Sequence, residues 1–338
     1  MLSFENDYAE GTHPQILERL LETNAQQMLG YGTDRYSARA AERIKVICQC
    51  PSAEVYFLMD SVQINKIVVN ALLRENQAII ATSIDQHAIP EAWGLDFTGH
   101  KVVRLAQNEG KLSLATLRNY LENEQHCQLI EPGMLYLSQP TEYGTLYTLA
   151  ELTAISELCQ KYHLPLYIGG ARLGYGLMSP QNDVSLADLA RLCDVFYIGG
   201  TRVGALCGEA VVFTKHNFPD DFTWLIKKYA TIPVKSRLLG VQFDTFFAGD
   251  FLYFELGKKG IQAAQLLRQG LYDKNYQFYL DTPTNQLFIV LSKQKAKSLA
   301  QQIRFQMVKA VDEDHVVIRL VTSWATKKEQ VEELLAMM

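Results

Sequence analysis

The chain has 338 residues, 48% of them apolar and 20% charged, and a formal net charge of −5. This is the make-up of an ordinary packed protein with room for one large domain and a smaller companion. The acidic balance argues against a nucleic-acid partner, which selects basic faces, and no apolar run of about 18 residues reads as a membrane span.

The opening segment, residues 1–14 (MLSFENDYAEGTHP), is acidic and polar where a signal peptide is basic and then apolar, so a cytoplasmic protein is expected. Short β-rich apolar runs then recur: VYFLM (55–59), AIIA (78–81), KVVRL (101–105), MLYLS (134–138), PLYIG (165–169), DVFYIGG (194–200) and AVVF (210–213). Helix-like stretches separate several of them, with apolar spacing near 3.6, as in Leu149, Leu152, Ile155, Ser156 and Cys159. Strand and helix in alternation predict an α/β fold with a mostly parallel sheet. Near-continuous apolar strands fit a sheet covered on both faces. After about Asp244 the rhythm changes to a long helix, a strand FIVL (288–291), a helix, a strand VVIRLVTS (316–323) and a last helix. The expected organisation is a large α/β domain over 20–245 and a small α+β domain from 1–19 and 246–338. Six cysteines are scattered along the chain, Cys48 and Cys50 one residue apart, with no CxxC pair or Cys/His cluster. Reduced buried thiols are expected and no metal.

Four segments carry more than fold. Residues 167–177 (YIGGARLGYGL) put two glycines and then Arg172 past the end of a strand, the edge at which parallel sheets bind ligands. Read alone, this is also compatible with a plain glycine turn, and it matches no GxGxxG fingerprint. Residues 194–209 (DVFYIGGTRVGALCGE) repeat the arrangement with Thr201 and Arg202. Residues 60–65 (DSVQIN) open a helix whose free N–H groups suit an anion or a simple N-cap. Arg319 lies inside an apolar strand, where arginine needs an acidic partner or a ligand.

In order and wording, from FENDYAEGTHP through GYGTD, GHKV, SQPTEYGTLYT, GGARLG, DVFYIGGTR, RLLGVQFDT and TNQLF to RLVTSWAT, the chain resembles the low-specificity threonine aldolases of the β-eliminating lyase family. The resemblance implies the aspartate aminotransferase-like (fold type I) architecture and pyridoxal phosphate as cofactor. It also implies cleavage of β-hydroxy amino acids, such as L-threonine to glycine and an aldehyde. Such chemistry needs a lysine for the cofactor's imine, a carboxylate for the ring nitrogen and an arginine for the substrate carboxylate.

Carried over residue by residue, the resemblance places Arg202 where the lysine stands and Gly169 where the ring-nitrogen aspartate stands. Ser61, Val62 and Gln63, with Thr201 and Arg172, fall on the phosphate or anion side. Asn6 and Arg319 fall on the substrate carboxylate. The histidine that stacks on the ring falls nearest Gln86, with His87 adjacent. Tyr31, in the GYGTD segment, matches a residue that reaches a neighbouring subunit, implying a homodimer or homotetramer. An arginine stays protonated and offers no free amine for an imine. The expectation is therefore a family member without the usual pyridoxal phosphate catalysis, binding a small anion or an amino-acid-like ligand; the alternative is an active aldolase. Restoring cofactor chemistry would require Arg202→Lys together with Gly169→Asp. The arginines are expected either to take internal acidic partners, with Asp60 and Glu209 as candidates, or to hold an anion.

Overall fold

The computed structural model describes residues 1–83, 93–96, 98–123, 131–220, 222–229 and 232–338. Its strands in chain order are β1 (Leu2–Ser3), β2 (Glu54–Leu58), β3 (Gln77–Thr82), β4 (Val102–Leu105), β5 (Glu131–Ser138), β6 (Leu166–Gly169) and β7 (Val195–Gly199). They continue with β8 (Glu209–Phe213), β9 (Phe278–Leu280), β10 (Gln286–Ser292), β11 (Ile303–Arg304), β12 (Gln306–Ala310) and β13 (His315–Val321). All seven apolar runs read from the sequence before Asp244 are strands of one sheet, ordered β2-β8-β7-β6-β5-β3-β4. Its pairs are parallel from β4 through β7, while β8 runs antiparallel to both β7 and β2.

Helices form where the sequence supplies both an apolar stripe and a start signal. Asp34 caps Arg35–Ile47 by accepting from the backbone N–H groups of Tyr36 and Ser37. Thr148 with Glu151, and Ser185 with Asp188, form capping boxes at Leu149–Lys161 and Leu186–Leu192. One face of the sheet buries Ile80, Leu135, Leu137, Ile168, Phe196 and Ile198; the other buries Ile79, Met134, Tyr136, Tyr167, Val195 and Tyr197. Each fully buried Leu or Ile side chain contributes about 2 kcal/mol, and the two-sided cover explains why these strands lack alternation.

The smaller sheet has the order β12-β13-β10-β9, and β1 pairs in parallel with β11. Behind the small sheet lie Phe4, Leu267, Leu287, Ile289, Leu320 and Val331. The long helix Leu252–Asp273 joins the two bodies. It packs so closely on the segment after β6 that a Cβ at Gly257 would lie 2.3 Å from the Gly174 carbonyl oxygen, and one at Gly260 2.4 Å from the Tyr175 ring. No helix among the described residues is long and apolar enough to cross a membrane.

Candidate functional site

The N-terminal segment brings a buried carboxylate to the ends of two central strands. Phe4 donates its N–H to the Arg304 carbonyl and accepts from the Val321 N–H. Beyond it, the Thr12 hydroxyl and the His13 N–H both bond the Gly204 carbonyl. Held at both ends, the segment aims Asp7 at the turns that follow β6 and β7. Arg172 grips Asp7 with both arms of its fork, Nε to Oδ2 at 2.6 Å and Nη2 to Oδ1 at 3.0 Å. Arg202 Nη1 reaches Asp7 Oδ1 at 3.4 Å, and Asn285 Nδ2 donates to Oδ2 at 3.0 Å. Burial alone would raise the Asp7 carboxyl, but Arg172, Arg202 and the hydrogen bonds outweigh it and hold Asp7 below its ordinary range. The Tyr8 ring lies under the Arg202 guanidinium, 4.7 Å from its centre.

Asp7 is the main counter-charge of these arginines; of the two expected partners, Asp60 is used elsewhere, while Glu209 still faces the charge of Arg202. Asp60 is spent as the N-cap of Ser61–Leu72, accepting from Gln63 N at 3.0 Å. Glu209 lies beneath the turn that carries Arg202, where its Oε2 accepts from Gly200 N at 2.6 Å. Burial pushes the Glu209 carboxyl up to about 7, against the pull of the Gly200 and Thr201 bonds. The same turn is braced by the Tyr175 hydroxyl, which donates to the Arg202 carbonyl at 2.6 Å, and by Thr201 Oγ1, which accepts from Gly208 N at 3.1 Å.

Arg319 approaches from the small sheet. Its Nη1 donates to Gln286 Oε1 at 2.8 Å, while its buried Nε has no partner among the described residues. Burial, and next the positive charge of Arg172, push Arg319 down to about 9, so it remains a cation at neutral pH. Glu142 faces the same charges. Burial raises its carboxyl against the pull of Arg172, Ser138 and Arg319, and its Oε2 is also unpartnered among the described residues. Gln286 Nε2 and Asn285 Oδ1 add to the buried polar atoms here that have no partner among the described residues, an uncommon condition that calls for a ligand or water.

The remaining sequence candidates divide. Ser61 is buried in the first turn of its helix, with Val62 and Gln63 half-buried beside it. Gly169 ends β6 next to Tyr136 of β5: a Cβ at Gly169 would lie 2.2 Å from the Tyr136 hydroxyl oxygen. Asn6 turns back on its own segment, its Oδ1 accepting from Tyr8 N at 3.1 Å. Tyr31 is exposed, with Lys227 Nζ 5.4 Å from its ring centre. His87, and the neighbouring Gln86, lie outside the described residues. Asp7, with Glu142, Asn285 and Gln286 around it, is what sequence reasoning missed; Asp7 matters most. Its one signal was an acidic residue in a segment that also supplied Asn6.

Three features depart from what the resemblance implies for a phosphorylated pyridine: Arg202 has no free amine for an imine, the Tyr136 phenol fills the space a side chain at Gly169 would take, and the Asp60 carboxylate caps the helix start that the resemblance assigns to the phosphate. Among the described residues, no group of three or more His, Cys, Asp or Glu side chains is placed to hold a metal ion.

The sequence profile of the family described as beta-eliminating lyase matches residues 8–334. The low specificity L-threonine aldolase of Pseudomonas aeruginosa is 27% identical over 336 residues, covering 98% of this chain and 95% of that protein. The solved structure of Leishmania major threonine aldolase is 35% identical, with a TM-score of 0.94 over 99% of this chain and 98% of that one. Thermus thermophilus aspartate aminotransferase, at 13% identity, superposes with a TM-score of 0.73 over 100% of this chain and 90% of its own, a likeness of fold alone.

Proposed function

This chain belongs to the beta-eliminating lyase family, with the aspartate aminotransferase-like fold type I architecture, and we propose that it binds a small carboxylate or amino-acid-like anion without running pyridoxal phosphate chemistry at residue 202. The family's cofactor is pyridoxal phosphate. Catalysis with it needs an amine that condenses with the aldehyde and a carboxylate that holds the ring proton. Arg202 and Gly169 supply neither group.

The observation that carries the reading is the charge balance of the buried cluster. Two guanidiniums share the Asp7 carboxylate, while Arg319 is buried with its Nε unpartnered among the described residues. Glu142, its carboxyl raised by burial, is the acidic group that faces Arg172 and Arg319. Desolvating a cation without a partner is costly, and planar guanidiniums match carboxylates and phosphates by two-point contact. An anion on Arg319 Nε and Gln286 Nε2 would satisfy both donors.

The test is thermal melting of the full chain with acetate, glycine, inorganic phosphate and chloride at matched ionic strength. A saturable rise with one of the carboxylates or phosphate, lost in Arg319→Met, supports the reading. Equal responses to all four, retained in Arg319→Met, would count against it. The second reading, an active lyase cleaving β-hydroxy amino acids, is favoured by the threonine aldolase names of the relatives. Protein-dependent aldehyde release from L-threonine would establish it. Assembly into a homodimer or homotetramer is part of the proposal and rests on Tyr31, which is exposed and whose N–H bonds the carbonyl of the likewise exposed Val234.

A further inference from the structure

Gly169 is a requirement of its neighbour, not only the loss of an aspartate. Its φ is not among the positive values in the chain, so the backbone there does not demand glycine. Space does. A Cβ at this position would meet the Tyr136 hydroxyl oxygen at 2.2 Å and the ring carbons Cζ and Cε2 at 2.8 and 3.2 Å. Register explains the approach. Ser138 is the partner of Gly169 across β5 and β6, and Tyr136, two residues earlier on the same face, leans along its strand toward it.

The ring cannot swing away cheaply. Tyr136 is 3% exposed and packs edge-to-face on Tyr167, with centroids 5.1 Å apart. Its hydroxyl interacts with Ser138, Asn65 and Tyr197. Tyr167 in turn donates to Asn65 Oδ1 at 2.7 Å. Asn65 belongs to the helix that begins at Ser61, so three sheet tyrosines and this helix close into one buried polar knot.

We propose that Tyr136 is a plug in the space that a ring-nitrogen carboxylate at residue 169 would need, so that this chain is closed to that carboxylate by volume as well as lacking an amine at residue 202. The proposal rests on the reading that the chain does not run cofactor chemistry, and it changes what restoring that chemistry would take. Arg202→Lys with Gly169→Asp, the pair that the sequence reading requires, drives the new carboxylate into the phenol. Tyr136 must be reduced first.

Two measurements on full-length variants test it. Without cofactor, Gly169→Ala should lower the melting temperature by several degrees, and Gly169→Ala with Tyr136→Ser should melt higher than the sum of the two single shifts. Additive shifts, or a Gly169→Ala chain that melts like wild type, would overturn the plug. With pyridoxal phosphate, borohydride reduction and peptide mapping, Arg202→Lys with Gly169→Asp should be labelled at residue 202 at least ten-fold less than the same pair with Tyr136→Ser. Equal labelling of the two, or none in either, also overturns it. Threonine cleavage by the wild-type chain would instead sink the underlying reading, so the two failures are distinguishable.

Discussion

Asp7→Ala removes the carboxylate on which Arg172 and Arg202 converge. Asp7 is fully buried and accepts at 2.6, 3.0 and 3.0 Å from Arg172 Nε, Arg172 Nη2 and Asn285 Nδ2, with Arg202 at 3.4 Å. Removing one partner of a buried ion pair costs about 3–5 kcal/mol, and here two cations lose their counter-charge. At roughly 2 °C per kcal/mol for a chain of this size, the melting temperature should fall by about 6–10 °C. The hole left behind is shaped for a small carboxylate, so formate should partly restore stability, by about 1.4 kcal/mol at ten times its dissociation constant. The effect has a defined pH range. The folded carboxyl titrates below its ordinary 3.8, so its contribution is complete above that value and is lost as pH falls through the lower folded pKa. The difference between wild type and Asp7→Ala should therefore be constant near neutrality and shrink only in strong acid. Scanning calorimetry in buffers with and without formate reads all of this. A loss under about 1 kcal/mol, with no response to formate, would refute the claim that Asp7 is the counter-charge of the cluster.

Three further outcomes follow from the same geometry. Arg319→Met should leave the melting temperature unchanged or raise it in ligand-free buffer, because it removes a buried cation held next to Arg172; a loss of several degrees would show that the cluster needs this charge for folding. Glu209, raised to about 7 in the folded chain, contributes stability that is full below the ordinary carboxyl range and lost as pH rises through about 7. Glu209→Gln should accordingly flatten the decline in stability between about pH 5 and 8, and parallel melting curves for the two proteins would contradict that. Light scattering at micromolar concentration should give a mass at least twice the 38.3 kDa of one chain, and a monomer would remove the assembly from the account.

The sheet was legible because its strands are buried on both faces and so appear as unbroken apolar runs. Arg172 and Arg202 were legible for a related reason: glycines directly after such a run mark the sheet edge where parallel strands present side chains. Strand direction was less so. The run 210–213 looks like its neighbours, and its antiparallel course is set by the short return from β7 across the Arg202 turn. Asp7 was not legible, because its partner Arg172 is 165 residues away and the segment around it has no periodicity. Asn6 carried the expectation of a carboxylate contact, but an Asx turn onto Tyr8 uses its side chain locally and leaves Asp7 to reach inward. Tyr136 lies within a correctly read strand. That its ring occupies the space beside Gly169 depends on the pairing of β5 with β6, which a linear pattern does not encode.

The central claim is that the family fold persists here without cofactor catalysis at residue 202. The most direct measurement is aldehyde release from L-threonine by the full chain with saturating pyridoxal phosphate, set against the same cofactor without protein and against Arg202→Ala. The three rates should be indistinguishable. Turnover by the wild-type chain well above the protein-free rate, abolished in Arg202→Ala, would contradict it.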